Sequence, residues 1–299
     1  MTELKEIDIN CKGLFDYYLS LFEPTVSDLT FTNLFMWRYY YRFKYIIYDN
    51  YLNILAFPAK DEPYALVPIG EKDEKKMKKA IMNLIEIMKE NGIKPLFRKV
   101  GDEYIKFFSD VADDQSIIFD RGNSDYLYRT EDLINLPGKK YHAKRNHISK
   151  FNKLYKSEYE PINSSNISEC YSIMEMWCRY RNCECSYGEY CEKHANMELL
   201  NNYEKLGCKG ALIKVDGVYQ AFTVGEMLNR DTAVIHIEKA NFEIHGLYAV
   251  INQRFCMEQW KDTLYINREQ DLDQEGLRKA KLSYHPIKLV EKYTVIPNK

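Results

Sequence analysis

The chain has 299 residues, room for two ordinary domains or one large one, and its 45% hydrophobic and 14% aromatic content supplies a substantial core. A formal net charge of -2 excludes a general nucleic-acid coat, so any polyanion site is a local patch. No window approaches about 18 uninterrupted apolar residues, and the opening MTELKEIDINCKG has neither the basic nor the apolar region of a secretory signal, which predicts a cytoplasmic chain without a transmembrane segment and with reduced thiols.

The runs FKYIIYD, YLNILAF and PYALVPI, rich in aromatic and branched residues and separated by turn formers, read as three antiparallel strands. In DEKKMKKAIMNLIEIMKENG, Met77, Ile81, Leu84, Ile85 and Met88 recur at helical spacing before the stop Asn91-Gly92. KPLFRKV, EYIKFFSDVA and SIIFD then read as strand, short helix and strand. Turn residues and the lack of a long apolar run in RGNSDYLYRTEDLINLPG (121–138) mark a join near residue 125. Beyond it, KGALIKV and VYQAFTVGEML flank the hairpin turn Asp216-Gly217, and TAVIHIEKA makes a third strand. A helix over IHGLYAVINQRFCMEQW, a strand TLYIN, a helix EGLRKAKLSY and a strand KLVEKYTVI complete the chain. Both halves have the order β-β-β-α-β-α-β, which predicts an α/β (α+β) protein of two duplicated domains, residues 1–125 and 126–299.

The second half opens on PGKKYHAKRNHISKF. Tyr141, Ile148, Phe151 and Tyr155 share one face of a predicted helix, and residues 139–156 carry seven Lys or Arg with no Asp or Glu until Glu158. A solvated helix usually interleaves both signs, so the pattern points to a phosphate-bearing ligand on Lys139, Lys140, Lys144, Arg145 and Lys150. Charge alone allows nucleic acid and a phospholipid headgroup equally.

Three stretches carry a resemblance: DYLYRTEDLINLPGKKYHAKRNHISKF, YINREQDLDQEGLRKAKLSYHPIKLVEKYTV and FEPTVSDLTFTNLFMWR (residues 22–38). Through them the chain resembles the family of phosphatidylglycerol lysyltransferase C-terminal domains and their stand-alone bacterial relatives. The resemblance implies two tandem acyl-CoA N-acyltransferase-like domains, each a mixed, mostly antiparallel sheet with flanking helices. It also implies transfer of an aminoacyl group from aminoacyl-tRNA to an anionic acceptor, as in the similar Fem-type aminoacyltransferases. The basic run carries over as contacts to phosphates of tRNA or acceptor, with Arg268, Arg278 and Lys281 in the other charged motif, and the two motifs are expected to face one cleft. Peripheral lipid contact is allowed.

Aminoacyl transfer from an ester requires a deprotonated nucleophile, a stabilised carbonyl oxygen and a protonated leaving group. Glu269 and Arg268, after strand TLYIN, are the catalytic candidates, while an ion-pair or capping role for Glu269 weighs more on residue type alone. Arg278 and Lys281 are three apart and could meet one anion, or form a surface stripe. His236 on its strand reads more as a hydrogen-bonded rim residue than as a catalyst. Acyl-CoA is the alternative donor, but the turn KANFEIHGLYA holds Gly246 alone rather than a Gly-rich cradle. Cys178, Cys183, Cys185, Cys191 and His194 lack the spacing of a zinc knuckle, so no metal is expected. A non-catalytic phosphate-binding module of the same fold is the rival from another functional class.

Overall fold

The computed structural model describes residues 3–181 and 191–298. Its first elements are β1 (Lys5–Glu6), α1 (Lys12–Phe22), α2 (Phe31–Met36), α3 (Arg38–Tyr41), β2 (Lys44–Tyr48), β3 (Tyr51–Ala56), β4 (Tyr64–Ala65), α4 (Glu74–Glu90), β5 (Phe97–Gly101) and β6 (Ile117–Phe119). There follow β7 (Asp125–Arg129), α5 (Thr130–Asn135), α6 (His142–Leu154), β8 (Ser157–Pro161), α7 (Ile167–Arg181), α8 (Glu192–Asn201), α9 (Tyr203–Leu206), β9 (Lys209–Val215), β10 (Val218–Met227) and β11 (Thr232–Ala240). The chain ends with α10 (Leu247–Gln259), β12 (Tyr265–Asn267), α11 (Glu275–Leu282), β13 (Lys288–Val290) and β14 (Lys292–Val295).

Two seven-stranded sheets result, in the orders β1-β2-β3-β4-β5-β14-β6 and β13-β7-β12-β11-β10-β9-β8. Each repeats one plan. An antiparallel meander leads into a helix, which returns the chain to a strand parallel to the last of the meander: β4 beside β5, β11 beside β12. The other pairings recorded within each sheet are antiparallel, including β14 with β5 and β6 and β7 with β12.

The chain divides into unit 1 (Met1–Asp125, Gln270–Gln274, Leu289–Lys299) and unit 2 (Tyr126–Glu269, Glu275–Lys288). The sequence reading cut the chain once, at 125, and ran KLVEKYTVI as one strand. In the structure that stretch is two strands in different sheets, and the last joins the N-terminal sheet. Residues 121–138, expected to be only a join, hold β7 and α5, with Tyr126, Leu127 and Tyr128 buried. A strand of five residues buried on both faces leaves too short an apolar run for periodicity to register.

Unit 1 is built on α4, which buries Met77, Ala80, Ile81, Leu84, Ile85, Ile87 and Met88 as the spacing predicts. Asp73 caps it by accepting from the Lys76 amide at 2.9 Å. The same unit contains an ionic knot centred on the fully buried Lys292 and Asp125. Nζ of Lys292, on β14, lies 2.5 Å from Asp28 and 2.6 Å from Asp125, and Asp28 also pairs with Lys99 at 2.6 Å. Unit 2 packs α10 and α6 on one face of its sheet through Phe151, Ile213, Val215, Ala221, Ala240, Leu247, Val250 and Ile251. Each large side chain of that set, fully buried, contributes about 1.5–3 kcal/mol.

Candidate functional site

On β11, Glu238 and Ala240 meet α10, while His236 stands at a bulge where the pairing with β10 steps from Ile237 opposite Val224 to Ile235 opposite Gly225. The His236 side chain is buried, and it is clamped: Nε2 lies 2.9 Å from Glu226 on β10, and Nδ1 lies 2.9 Å from Glu269 after β12. A carboxylate can only accept, so both ring nitrogens donate and the ring is an imidazolium. Burial works against that charge, yet the hydrogen bonds and charges of Glu226 and Glu269 outweigh it and push the imidazole up to about 10.

Two residues further along the strand, Glu238 accepts from Arg268 Nη2 at 2.9 Å and from Asn252 Nδ2 of α10 at 3.2 Å. Arg268 lies against the rings of Tyr128 and Tyr284. Its position is set by its own backbone turn. The amide of Glu269 donates to Asn267 Oδ1 at 2.8 Å, and Glu269 sits at a φ of 54°, in the left-handed region. Lys281 of α11 closes this turn from outside, its Nζ donating to the carbonyls of Arg268 and, at 3.3 Å, Glu269.

Helix α6 brings one more cation inward. Lys144 falls on the stripe Tyr141, Lys144, Ile148, Phe151, at spacings of three and four, and its Nζ stands 3.9 Å from the centre of the Tyr284 ring. Burial, and next the positive charge of Arg268, lower its ammonium to about 8, while Glu238 partly opposes them. The start of α6 is tied to the segment after α11: Tyr141 donates to the Tyr284 carbonyl at 2.8 Å, and His285 Nε2 lies 3.1 Å from the Lys140 carbonyl. The two charged motifs thus touch, and both belong to unit 2.

Of the residues nominated from sequence, Arg268, Glu269, Lys281 and Lys144 meet in this cluster. The others lie elsewhere. Arg145 donates to the carbonyls of Leu136 and Gly138 (2.7 Å to the latter), satisfying the chain where α5 ends. Lys140 pairs with Asp132 at 3.8 Å. Lys139 and Lys150 are exposed cations on the outer side of the basic segment, and Arg278 is half-buried on α11. Sequence reasoning missed Glu226, Glu238, Asn252 and Tyr284. That His236 and Glu238 share one strand was readable, whereas the bulge at His236 and the approach of β10, α10 and the 284 segment were not.

Gly246, before α10, has a φ of 90°, and a Cβ there would stand 2.6 Å from the His147 carbonyl of α6. The backbone of α6 thus packs on the turn where a coenzyme pyrophosphate would be cradled in an acyl-CoA enzyme. Among the described residues no three His, Cys, Asp or Glu side chains group to hold a metal, and Cys183 and Cys185 lie outside those residues. Cys11, Cys170, Cys178, Cys208 and Cys256 form no disulfide, but Cys191 is disulfide-bonded, against the expectation of thiols throughout. That expectation rested on compartment, and which sulfurs come within bonding reach is set by backbone geometry. No described helix is long and apolar enough to cross a membrane.

The chain is similar in structure to a conserved protein of unknown function from Bacteroides thetaiotaomicron VPI-5482, at 33% identity over 100% of both chains and a TM-score of 0.90. It is similar to L-PGS from Bacillus licheniformis over 99% of this chain and 94% of that one (14% identity, TM-score 0.70), and to FemX over 98% and 97% (10% identity, TM-score 0.63). No curated protein matches it. The fold is the expected pair of tandem acyl-CoA N-acyltransferase-like domains. Residues 19–296 match the family model described as phosphatidylglycerol lysyltransferase, C-terminal, and the chain belongs to that family.

Proposed function

We propose that this protein is an aminoacyltransferase of the acyltransferase-like class, moving an aminoacyl group from aminoacyl-tRNA to an anionic acceptor at the charged cluster of unit 2. Membership of the family over residues 19–296 carries the reading. The cluster supports it, because it gathers donors and an acceptor on a turn that is fixed before any ligand arrives. In this scheme Glu269, with Oε1 on His236, uses Oε2 to take the proton of the attacking amine or hydroxyl, Arg268 offsets the charge that develops on the carbonyl oxygen, and Glu269 returns the proton to the ribose oxygen of the tRNA as the ester bond to it breaks. Lys139, Lys140 and Lys150, on the outer side of the basic segment, hold phosphates of the donor.

The test is titration of labelled aminoacyl-tRNA at several salt concentrations, beside a Lys139→Glu, Lys150→Glu variant, followed by transfer assays over a panel of anionic acceptors. These two positions are chosen because Arg145 also satisfies backbone carbonyls, so its loss would confound binding with folding. Binding that weakens with salt, falls at least about tenfold in the variant and leads to turnover is expected. Equal weak binding by both proteins would remove tRNA from the account.

One observation favours a second reading, a binding module without chemistry: the carboxylate nominated as the base is ion-paired with His236. Binding without turnover for every donor and acceptor would select it. Acyl-CoA as donor is disfavoured by the backbone of α6 against Gly246.

A further inference from the structure

Around Glu238 the charges do not close. Its carboxylate serves Arg268 through Nη2 and Asn252 through Nδ2. Nη1 of Arg268 is buried and has no hydrogen-bond partner among the described residues. A buried guanidinium N–H left so is costly unless something accepts from it. Lys144, half-buried beside it, makes no ion pair with a described carboxylate, and its ammonium rests on the face of the Tyr284 ring. Two cations therefore share one anion, for a local excess of one positive charge.

The neighbouring Glu226, His236 and Glu269 together carry one net negative charge, but none of them accepts from Nη1 of Arg268 or pairs with Lys144. Their donors and acceptors are turned on one another, and the charges that bear on Lys144 are those of Arg268 and Glu238. His147, one turn along α6, faces Lys144 as well and is itself lowered by burial and by His245, so it adds no compensating negative charge. The groups facing the two cations are thus one carboxylate, two phenol rings, the buried Cys256 thiol of α10, an amide and an imidazole.

We propose that Arg268 and Lys144 form a subsite for one singly charged oxyanion, whose oxygens accept from Nη1 of Arg268 and from the Lys144 ammonium. A phosphodiester and a carboxylate both have this charge and this acceptor geometry. Such a ligand completes the charge count, gives the orphaned N–H an acceptor and restores Lys144 toward an ordinary ammonium. The subsite differs from a polyanion surface: of the cations in the basic segment, Lys144 is the one that turns toward Arg268, so one charged group is accommodated inside while any further phosphates stay outside. Its biological occupant depends on the transfer reading above, being a group of the donor or acceptor, but its existence does not.

The experiment measures amine labelling on the full chain at pH 8, with an acylating reagent at limiting amount and constant ionic strength, and site-resolved peptide mass spectrometry. Dimethyl phosphate and acetate are the two probes, against chloride. A bound anion that lifts the Lys144 ammonium by one pH unit cuts its neutral fraction at pH 8 about fivefold, so labelling of Lys144 is expected to slow by at least that factor, saturably. Exposed Lys139 and Lys150 of the same molecules should label at unchanged rates. Protection by dimethyl phosphate alone identifies a phosphodiester subsite, by acetate alone a carboxylate subsite, and by both a site that reads charge only. No protection with either probe, or equal slowing at Lys139 and Lys150, overturns the proposal. Arg268→Lys, which keeps the charge but loses Nη1, should abolish protection, and if it does not fold the comparison of lysines within the unaltered chain still decides. Because no donor or acceptor substrate is used, failure here leaves the transfer reading standing, and failure of turnover leaves the subsite standing.

Discussion

A histidine on a half-buried strand is usually bland, and His236 departs from that only because two acids arrive from other strands. Its imidazole is raised in the folded state, so the stabilisation it brings is fully present below its unfolded value near 6.5 and is lost as pH rises through about 10. His236→Gln is expected to destabilise by about 3 kcal/mol at pH 7, because Glu226 and Glu269 are left facing each other without the charge between them. Urea unfolding of both proteins at pH 7, 8, 9 and 10 should show the gap closing as pH rises; a gap of constant size would mean the ring is neutral. Lys144 has the opposite sign. Its ammonium is lowered, so its charge costs stability below about pH 8, and the cost fades between there and its ordinary value near 10.5. Lys144→Met should therefore raise stability at pH 7 by on the order of 1 kcal/mol, measured the same way, and by less at pH 10.

At the scale of elements, α6 and the turn of residues 139–141 that leads into it show how one basic segment divides its labour. Tyr141 and Phe151 are fully buried, Lys144 points to the charged cluster, Arg145 satisfies the end of α5, and Lys139 and Lys150 face solvent. Its seating depends on Gly246, where only glycine combines a positive φ with room for the His147 carbonyl. Gly246→Ala is expected to cost roughly 2 kcal/mol or more through both strain and the 2.6 Å approach. Chemical denaturation measures it, and a loss below about 0.5 kcal/mol, the ordinary range for an unremarkable surface change, would contradict the packing.

At the scale of the molecule the two sheets follow one plan but exchange a strand. The strand that follows β6 in sequence, β7, lies in the second sheet between β12 and β13, and the strand that follows β13, namely β14, lies in the first between β5 and β6. β14 also delivers Lys292 to Asp28 and Asp125. Burial would raise Asp28, but Lys292 and Lys99 hold its carboxyl well below the usual range, so the stabilisation is present above about pH 4 and is lost as pH falls further. Lys292→Met is expected to destabilise by about 3–5 kcal/mol near neutral pH, because it removes the cation that two buried acids share, leaving Lys99 on Asp28 and the neutral Ser27 donors on Asp125. Thermal melts at pH 7 and pH 3.5 should show a smaller difference at the lower pH, and an unchanged melting temperature at pH 7 would refute the knot.

Much was legible before folding. The apolar spacing of α4 and α10, the turn residues between strands and the doubled β-β-β-α-β order are short-range patterns, and sequence by itself determined the α/β class, the tandem repeat and the family resemblance. It also showed the stripe from Tyr141 to Phe151 on which Lys144 lies, though the charge of that residue drew it into the count of phosphate-binding cations on the remaining circumference. Only the tertiary structure decided which cations turn inward, which acids meet His236 and Arg268, and which sheet takes the last strand. Those outcomes depend on residues tens to hundreds of positions apart being desolvated together, such as Lys292 with Asp28 or His236 with Glu269, and a burial cost shared across the fold leaves no periodic trace in the chain.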